Sequence, residues 1–312
     1  MKILYISPRY QGGIGGHAKR VAEKLREHGH DVKLMQIPHI PIKKLKNPSF
    51  MIFGIIKSIL DSEKYDVVHA WNIPSAFVMK HVSADKKILS VHGMYSEQID
   101  VLHSIFVGNI ARKAELKAFD ISDKLTTDSK YIQKNYKEKF NVNFIYLPAP
   151  LDVQTFKEIS QIKKKKNQVI YIGRNSYEKG IDILKNIELK INGKIIYCTN
   201  LSWRKTMTIL KSSTLLIVPS RMESIPQVIK EAFYLKIPVI ATNVGGISEM
   251  IENKKNGILI PPENPDKMIE AINDLLTNSL LVDKLTKNAF DFINKNFTWD
   301  VLIDKYLELY KN

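Results

Sequence analysis

Short apolar runs alternate with stretches of helical periodicity almost from one end of the chain to the other. The runs that predict strands are Lys2–Ser7, Asp31–Gln36, Asp66–Ala70, Lys87–Val91, Lys124–Thr127 and Asn143–Leu147, and then Gln168–Ile172, Lys194–Cys198, Leu215–Pro219, Pro238–Thr242 and Gly257–Ile260. Between them lie helices. Ala18, Val21, Ala22 and Leu25 sit at i, i+3, i+4 and i+7, and Gly29 supplies a stop. Strands alternating with helices predict βαβ units and parallel sheets. The strands are too many for one ordinary sheet, so two sheets are predicted. The polar, lysine-rich segment Lys157–Asn167 separates the two series. It divides the chain into an N-terminal domain, 1–157, and a C-terminal domain, 158–296, with Lys163–Lys166 as a solvated linker. Residues 297–312 predict a terminal amphipathic helix with Trp299, Leu302, Ile303, Tyr306, Leu309 and Tyr310 on one broad face.

Composition changes this picture little. The 312 residues suit two domains, and 44% hydrophobic with 25% charged residues is ordinary for globular chains. The single cysteine, Cys198, has no internal disulfide partner and lies in an apolar run, which predicts a buried, inert thiol. The N-terminus opens into a strand-like run with no signal-peptide pattern, and no stretch approaches the roughly 18 apolar residues of a membrane span. A cytoplasmic protein is expected. The net charge of +15 is more informative, because it draws the chain to an anionic partner: nucleic acid, an anionic membrane face or a phosphorylated substrate. No nucleic-acid-binding module is recognisable, and no His, Cys or carboxylate cluster has metal-ligand spacing.

The residues that can carry chemistry cluster after predicted strands, at the sheet edge where open α/β folds bind ligands. Glu223 and Glu231 flank a strand-to-helix turn, Pro219-Ser220-Arg221-Met222-Glu223-Ser224-Ile225-Pro226, with a helix starting near Pro226. A helix start offers free N–H groups to an anion, and carboxylates accept hydrogen bonds from hydroxyls. The plain alternative is a surface helix carrying two ordinary glutamates. Gly173-Arg174 and Lys179-Gly180 place two cations in one loop, able to neutralise a diphosphate or simply to face solvent. Gly12-Gly13-Ile14-Gly15-Gly16 and Gly245-Gly246 let backbone approach a ligand closely. The first lacks the spacing of a dinucleotide fingerprint, and the second strand lacks the acid that would hold an NAD ribose. His92 ends a strand and precedes Gly93, whereas His69 reads as structural. Together these features describe a site for a sugar attached to a nucleoside diphosphate.

The block Glu223 to Gly246, with Gly173-Arg174, Lys179-Gly180, Gly12–Gly16, Glu27-His28-Gly29-His30-Asp31-Val32, Asp66-Val67-Val68-His69, Ser90-Val91-His92-Gly93 and Phe297-Thr298-Trp299, resembles the retaining glycosyltransferases of family 4. The resemblance spans nearly the whole chain. It implies the GT-B fold: two Rossmann-like domains facing across a cleft, the N-terminal one serving the acceptor, the C-terminal one the nucleotide-sugar donor, and the last helix returning to the N-terminal domain. It implies that Glu231 binds the donor ribose. Glu223 contacts the transferred sugar, Ser224, Ile225 and Pro226 line the site, and Arg174 and Lys179 hold the diphosphate. Gly13, Gly15 and Gly16 approach donor and acceptor, and His92 touches the sugar near the reacting carbon. Catalysis is then expected from Glu223, His92, Arg174 and Lys179. The expected partners are a UDP- or GDP-sugar as co-substrate, a glycan or lipid-linked acceptor and no nucleic acid, with no metal or other cofactor. The segment Lys43–Phe53 suggests contact with an anionic membrane face. A non-catalytic GT-B-fold binding protein or inactive subunit, attracted to anionic partners, is the alternative that the resemblance leaves. Two departures stand out: Pro148-Ala149-Pro150-Leu151-Asp152 replaces the family's usual Pro-Asn-Gly-Val-Asp turn, and the chain between Lys194 and Pro219 lacks one strand–helix unit.

Overall fold

A computed structural model describes residues 1–9, 13–42, 45–95, 105–159 and 162–311 of the protein. It divides into two compact units, Met1–Leu147 with Lys305–Asn312, and Pro148–Asp304.

In the first unit the strands are β1 (Lys2–Pro8), β2 (Asp31–Ile37), β3 (Lys64–Ala70), β4 (Ser83–Val91), β5 (Lys124–Thr127) and β6 (Ile145–Tyr146). They form one parallel sheet in the order β2-β1-β3-β4-β5-β6. The helices are α1 (Gly13–Glu27), α2 (Lys46–Ile59), α3 (Ile73–Met79), α4 (Ile105–Asp120) and α5 (Lys130–Phe140). Helix α1 buries Ala18, Val21, Ala22 and Leu25, the stripe that its spacing predicts. It ends at Gly29, whose φ of +80° is open to glycine at little cost. Residues Leu4, Ile6, Val68, Ala70, Leu89 and Val91 of the central strands form the core with Met79, Phe119 and Tyr136.

The second unit has β7 (Gln168–Ile172), β8 (Lys194–Cys198), β9 (Leu215–Val218), β10 (Val239–Thr242) and β11 (Ile258–Ile260), parallel in the order β11-β10-β9-β7-β8. Its helices are α6 (Ile181–Ile187), α7 (Trp203–Ser212), α8 (Gln227–Tyr234), α9 (Ile247–Met250), α10 (Pro265–Thr277) and α11 (Ser279–Asn296). The last helix, α12 (Trp299–Lys311), starts in this unit, and its final residues belong to the first. Strands β9 and β10 are buried at every position, as expected for parallel strands covered on both faces. The shortened stretch after Lys194 is served by α7 alone.

The division between units falls at 147/148, ahead of the lysine-rich segment. Leu151, Phe156 and Ile159 pack into the second core, so residues 148–157 belong to that unit. The fully buried Lys230 donates to the Ala149 carbonyl at 2.7 Å and lies over the Phe297 ring, and Leu151 N donates to Phe297 O at 2.6 Å. Lys163–Lys166 is exposed, yet it is no free linker: Lys165 N donates to Ser212 O at 2.8 Å, and the Thr214 hydroxyl donates to Lys165 O at 3.0 Å. Cys198 is buried, and burial pushes its thiol pKa up, in keeping with an inert core residue. No helix among the described residues is long and apolar enough to cross a membrane.

Candidate functional site

In the second unit the predicted residues gather at the carboxyl edge of β7, β9 and β10. The loop after β9 turns at Ser220, and α8 begins at Gln227 behind Ser224, Ile225 and Pro226. Glu223 lies in this loop with only 11% of its side chain exposed. Lys179, from the loop after β7, donates to Glu223 Oε1 at 2.5 Å, and the Ser220 hydroxyl donates to the same oxygen at 2.8 Å. The two motifs that lie 44 residues apart in sequence therefore meet as one ion pair.

Two glycines make this approach possible. Gly180 has φ +66°, and a Cβ on it would stand 2.0 Å from the Pro219 carbonyl oxygen. Gly245 has φ +54°, and its Cβ would stand 1.9 Å from the Glu223 carbonyl oxygen. At both places backbone lies directly against backbone, a contact that no larger residue permits.

Arg221 ties the loops together. It donates to both oxygens of Asp182 at 2.7 and 2.8 Å, to Glu263 and to the Tyr177 carbonyl at 2.7 Å, and its guanidinium lies 3.9 Å from the Tyr177 ring centre. Its hydrogen bonds hold the Asp182 carboxyl below the usual carboxylate range. Arg174 is different: its side chain is 75% exposed and reaches Glu178 at 3.0 Å, so it is a solvated cation at the mouth of the loop. Glu231, half-buried on α8, accepts from the Trp203 indole N–H at 2.8 Å.

The helix caps divide by position. Helices α7, α10 and α11 are capped by the side chains of Ser202, Asn264 and Asn278. Helices α6, α8 and α9 start behind Gly180, Pro226 and Gly246, and no side chain caps them. At the start of the eight-residue α8, Ile229 N donates to Pro226 O at 3.2 Å, and no side chain caps the N–H groups of Gln227 and Val228, the helix end that favours an anion.

In the first unit, Gly13 (φ +54°) opens α1, and Gly15 and Gly16 are buried in its first turns; Gly12 lies outside the described residues. His92 immediately follows β4. Its Nδ1 lies 3.3 Å from Asp128 Oδ2, and its Nε2 is buried with no partner among the described residues. Trp71, just after β3, lies parallel to the rings of both His92 and His69, and His17 of α1 meets Trp71 and His92 edge-on. A carboxylate on the Nδ1 side favours the tautomer with its proton there, which leaves Nε2 a hydrogen-bond acceptor. His69 is structural: fully buried, with Nδ1 2.7 Å from Tyr310 OH and Nε2 2.7 Å from Ser90 Oγ, it is held neutral by burial, its pKa lowered to about 3.

Sequence reasoning did not single out Asp128, Trp203 or Arg221. Asp128 had a usable signal, because it follows β5 directly, as His92 follows β4. Among the described residues no group of three His, Cys, Asp or Glu side chains is placed to hold a metal ion.

Residues 11–153 match the model of Glycosyltransferase Family 4, and residues 184–292 match that of Glycosyl transferases group 1. Over its whole length the chain is 23% identical to an uncharacterized glycosyltransferase of Methanocaldococcus jannaschii, of which it covers 98%. The fold is similar to that of sucrose-phosphate synthase from Thermosynechococcus elongatus, with a TM-score of 0.82 at 16% identity, covering 99% of this chain and 98% of that one. It is also similar to Anabaena HepE in complex with UDP-glucose, with a TM-score of 0.79 at 15% identity, covering 100% of this chain and 99% of that one. These neighbours are GT-B glycosyltransferases.

Proposed function

Because this chain belongs to the family 4, group 1 glycosyltransferases, we propose that it transfers a sugar from a nucleoside-diphosphate donor to a glycan or lipid-linked acceptor, with retention of anomeric configuration. The observation that carries this reading is the Lys179–Glu223 pair beside the uncapped start of α8. A cation and free N–H groups suit a diphosphate, and the adjoining carboxylate suits sugar hydroxyls. In the ligand-free protein Lys179 and Glu223 satisfy one another. A bound donor divides them, Lys179 turning to the phosphates and Glu223 to the sugar. Arg174 adds a second cation to the phosphates, and Glu231, oriented by Trp203, accepts from the ribose. Ser224, Ile225 and Pro226 line this end by their backbone.

The bond from the anomeric carbon to the phosphate oxygen breaks as the acceptor oxygen bonds to the same carbon from the same face. The acceptor's proton passes to the departing phosphate. Lys179 and Arg174 stabilise the charge that develops on that phosphate, and preorganised cations in such a position contribute several kcal/mol. No metal is needed in this scheme. His92 Nε2, as an acceptor, meets a sugar hydroxyl near the reacting carbon, and Gly13, Gly15 and Gly16 let α1 approach the ligands. Binding of UDP-glucose by HepE favours a uridine nucleotide among the possible donors.

The test is a nucleotide-release assay over a panel of UDP- and GDP-sugars with glycan and lipid-linked acceptors. Release with one donor, and a product whose anomeric coupling constant matches that donor, is the expected result. A folded protein that releases nucleotide from no donor would sink the reading.

A further inference from the structure

We propose that the outer face of α2 docks the protein on an anionic lipid bilayer, with the helix lying in the interface. The inference goes beyond the transfer reaction and does not rest on it.

Helix α2 is apolar on both faces. Its inward face packs Phe50, Met51 and Ile55 against the core beside the small residues Ser49, Gly54 and Ser58. Gly54 lies so close to the body of the unit that a Cβ would meet Val78 at 2.5 Å and Ile37 at 2.7 Å. A second set of large apolar residues faces out: Ile52, Ile56, Ile59 and Leu60 are 57%, 52%, 65% and 79% exposed. At 3.6 residues per turn, these four with Leu45 and Phe53 fall within an arc of about 120°. Single exposed apolar residues need no explanation, but a continuous stripe marks a contact surface.

The chemistry of the borders selects the occupant. Lys46 and Lys57 flank one side of the stripe, and α2 has no acidic residue. Beyond its other side lies an apolar recess of about 430 Å³, lined by Met51, Phe77, Tyr95 and Ile110, with Lys113 and Lys117 exposed at its rim. Lysines beside an apolar stripe suit a helix lying at the level of anionic headgroups. Protein interfaces favour Trp, Tyr and Arg at their centres, and the α2 stripe has none of these. The sequence pointed to Lys43–Phe53 for such a contact. Lys43 and Lys44 lie outside the described residues, and the structure moves the face along the helix to Leu60.

The experiment is flotation of the full chain with vesicles of phosphatidylcholine alone and of phosphatidylcholine mixed with phosphatidylglycerol. Wild-type protein is expected to float with the mixed vesicles and to dissociate as salt rises. Ile52→Ser with Ile56→Ser is expected to lower partitioning at least about tenfold. Lys46→Gln with Lys57→Gln is expected to lower it about tenfold and to flatten the salt dependence. All four of these side chains are exposed, so melting temperatures are expected to be unchanged. Equal recovery of the wild type in the soluble fraction with both vesicles overturns the proposal, as does wild-type flotation of the Ile52/Ile56 variant. Sedimentation showing a dimer that Ile56→Glu dissolves also overturns it, by assigning the face to a second copy.

Discussion

The substitution Gly245→Ala tests the geometry of the donor-side loops most directly. Two costs are separable. The first is conformational: φ of +54° is left-handed, and a non-glycine residue there costs about 1–2 kcal/mol, offset in part by about 0.4–1 kcal/mol from the less flexible unfolded chain. The second is steric: the new Cβ would stand 1.9 Å from the Glu223 carbonyl oxygen, where ordinary contact begins at 3.4 Å. The Glu223 loop must therefore retreat by 3.4 − 1.9 = 1.5 Å. Misplacement by about 1 Å is enough to cost on the order of a hundredfold in rate, so kcat/KM is expected to fall by roughly that factor. Gly29→Ala is the control. It carries the same kind of strain, with φ +80°, but a Cβ there meets nothing within 4 Å. Its melting temperature is expected to drop by a few degrees at most, with kcat/KM unchanged. The reasoning fails if Gly245→Ala turns over donor like the wild type, or if the two variants lose activity equally.

Lys179→Ala removes the partner of Glu223 and a cation for the departing phosphate, so kcat is expected to fall about a hundredfold in the nucleotide-release assay, while Glu231→Ala mainly raises the donor KM, by tenfold or more. Trp203→Phe keeps the ring but removes the N–H on Glu231; a rise of about fivefold in donor KM at unchanged kcat is expected, and an unchanged KM would dismiss the indole as a positioning group. Asp128→Asn removes the charge beside His92 Nδ1 and is expected to lower kcat roughly tenfold with little change in KM, a split that a purely structural loss would not give. His69, fully buried against Tyr310, Ser90, Tyr5, Trp71 and His92, stays neutral in the folded protein while the unfolded chain takes up a proton below the ordinary value of 6.5. The unfolded state then binds more protons, so stability falls as pH drops from about 6.5 toward about 3; His69→Gln is expected to flatten that part of a melting-temperature profile.

What the sequence revealed follows from how local each signal is. Strands β9 and β10 are buried on both faces, so their runs of Leu, Ile and Val are unbroken and legible. Strand β4 begins at Ser83, earlier than its apolar run, because its first residues are polar and only partly buried. The compact units divide at 147/148 and not within the lysine-rich segment, because Phe156 and Ile159 are apolar anchors inside a polar stretch, and composition averages them away. Glycine turns and the Glu223 loop were legible because each sits beside its own strand. The hydrogen bonds of Arg221 to Asp182 and Glu263, and of Trp203 to Glu231, join residues 39, 42 and 28 positions apart, and no local pattern encodes such pairings. The outward apolar stripe of α2 is hidden for a related reason: hydrophobic spacing identifies a helix's apolar residues but not which of them its neighbours cover.

The distribution of helix caps has a consequence for anyone seeking a hardier version of this protein. A missing N-cap costs about 0.5–2 kcal/mol, and α6, α8 and α9 each go without a side-chain cap. Heat-selection experiments would find these positions first, since a serine or aspartate at Pro226 or Gly246 offers the first-turn N–H groups an oxygen that is always present. At Pro226 such an oxygen would also occupy the place proposed for the donor phosphate. Thermal tolerance bought there would come as built-in competitive inhibition, so selection for survival at high temperature and selection for turnover would pull this position in opposite directions.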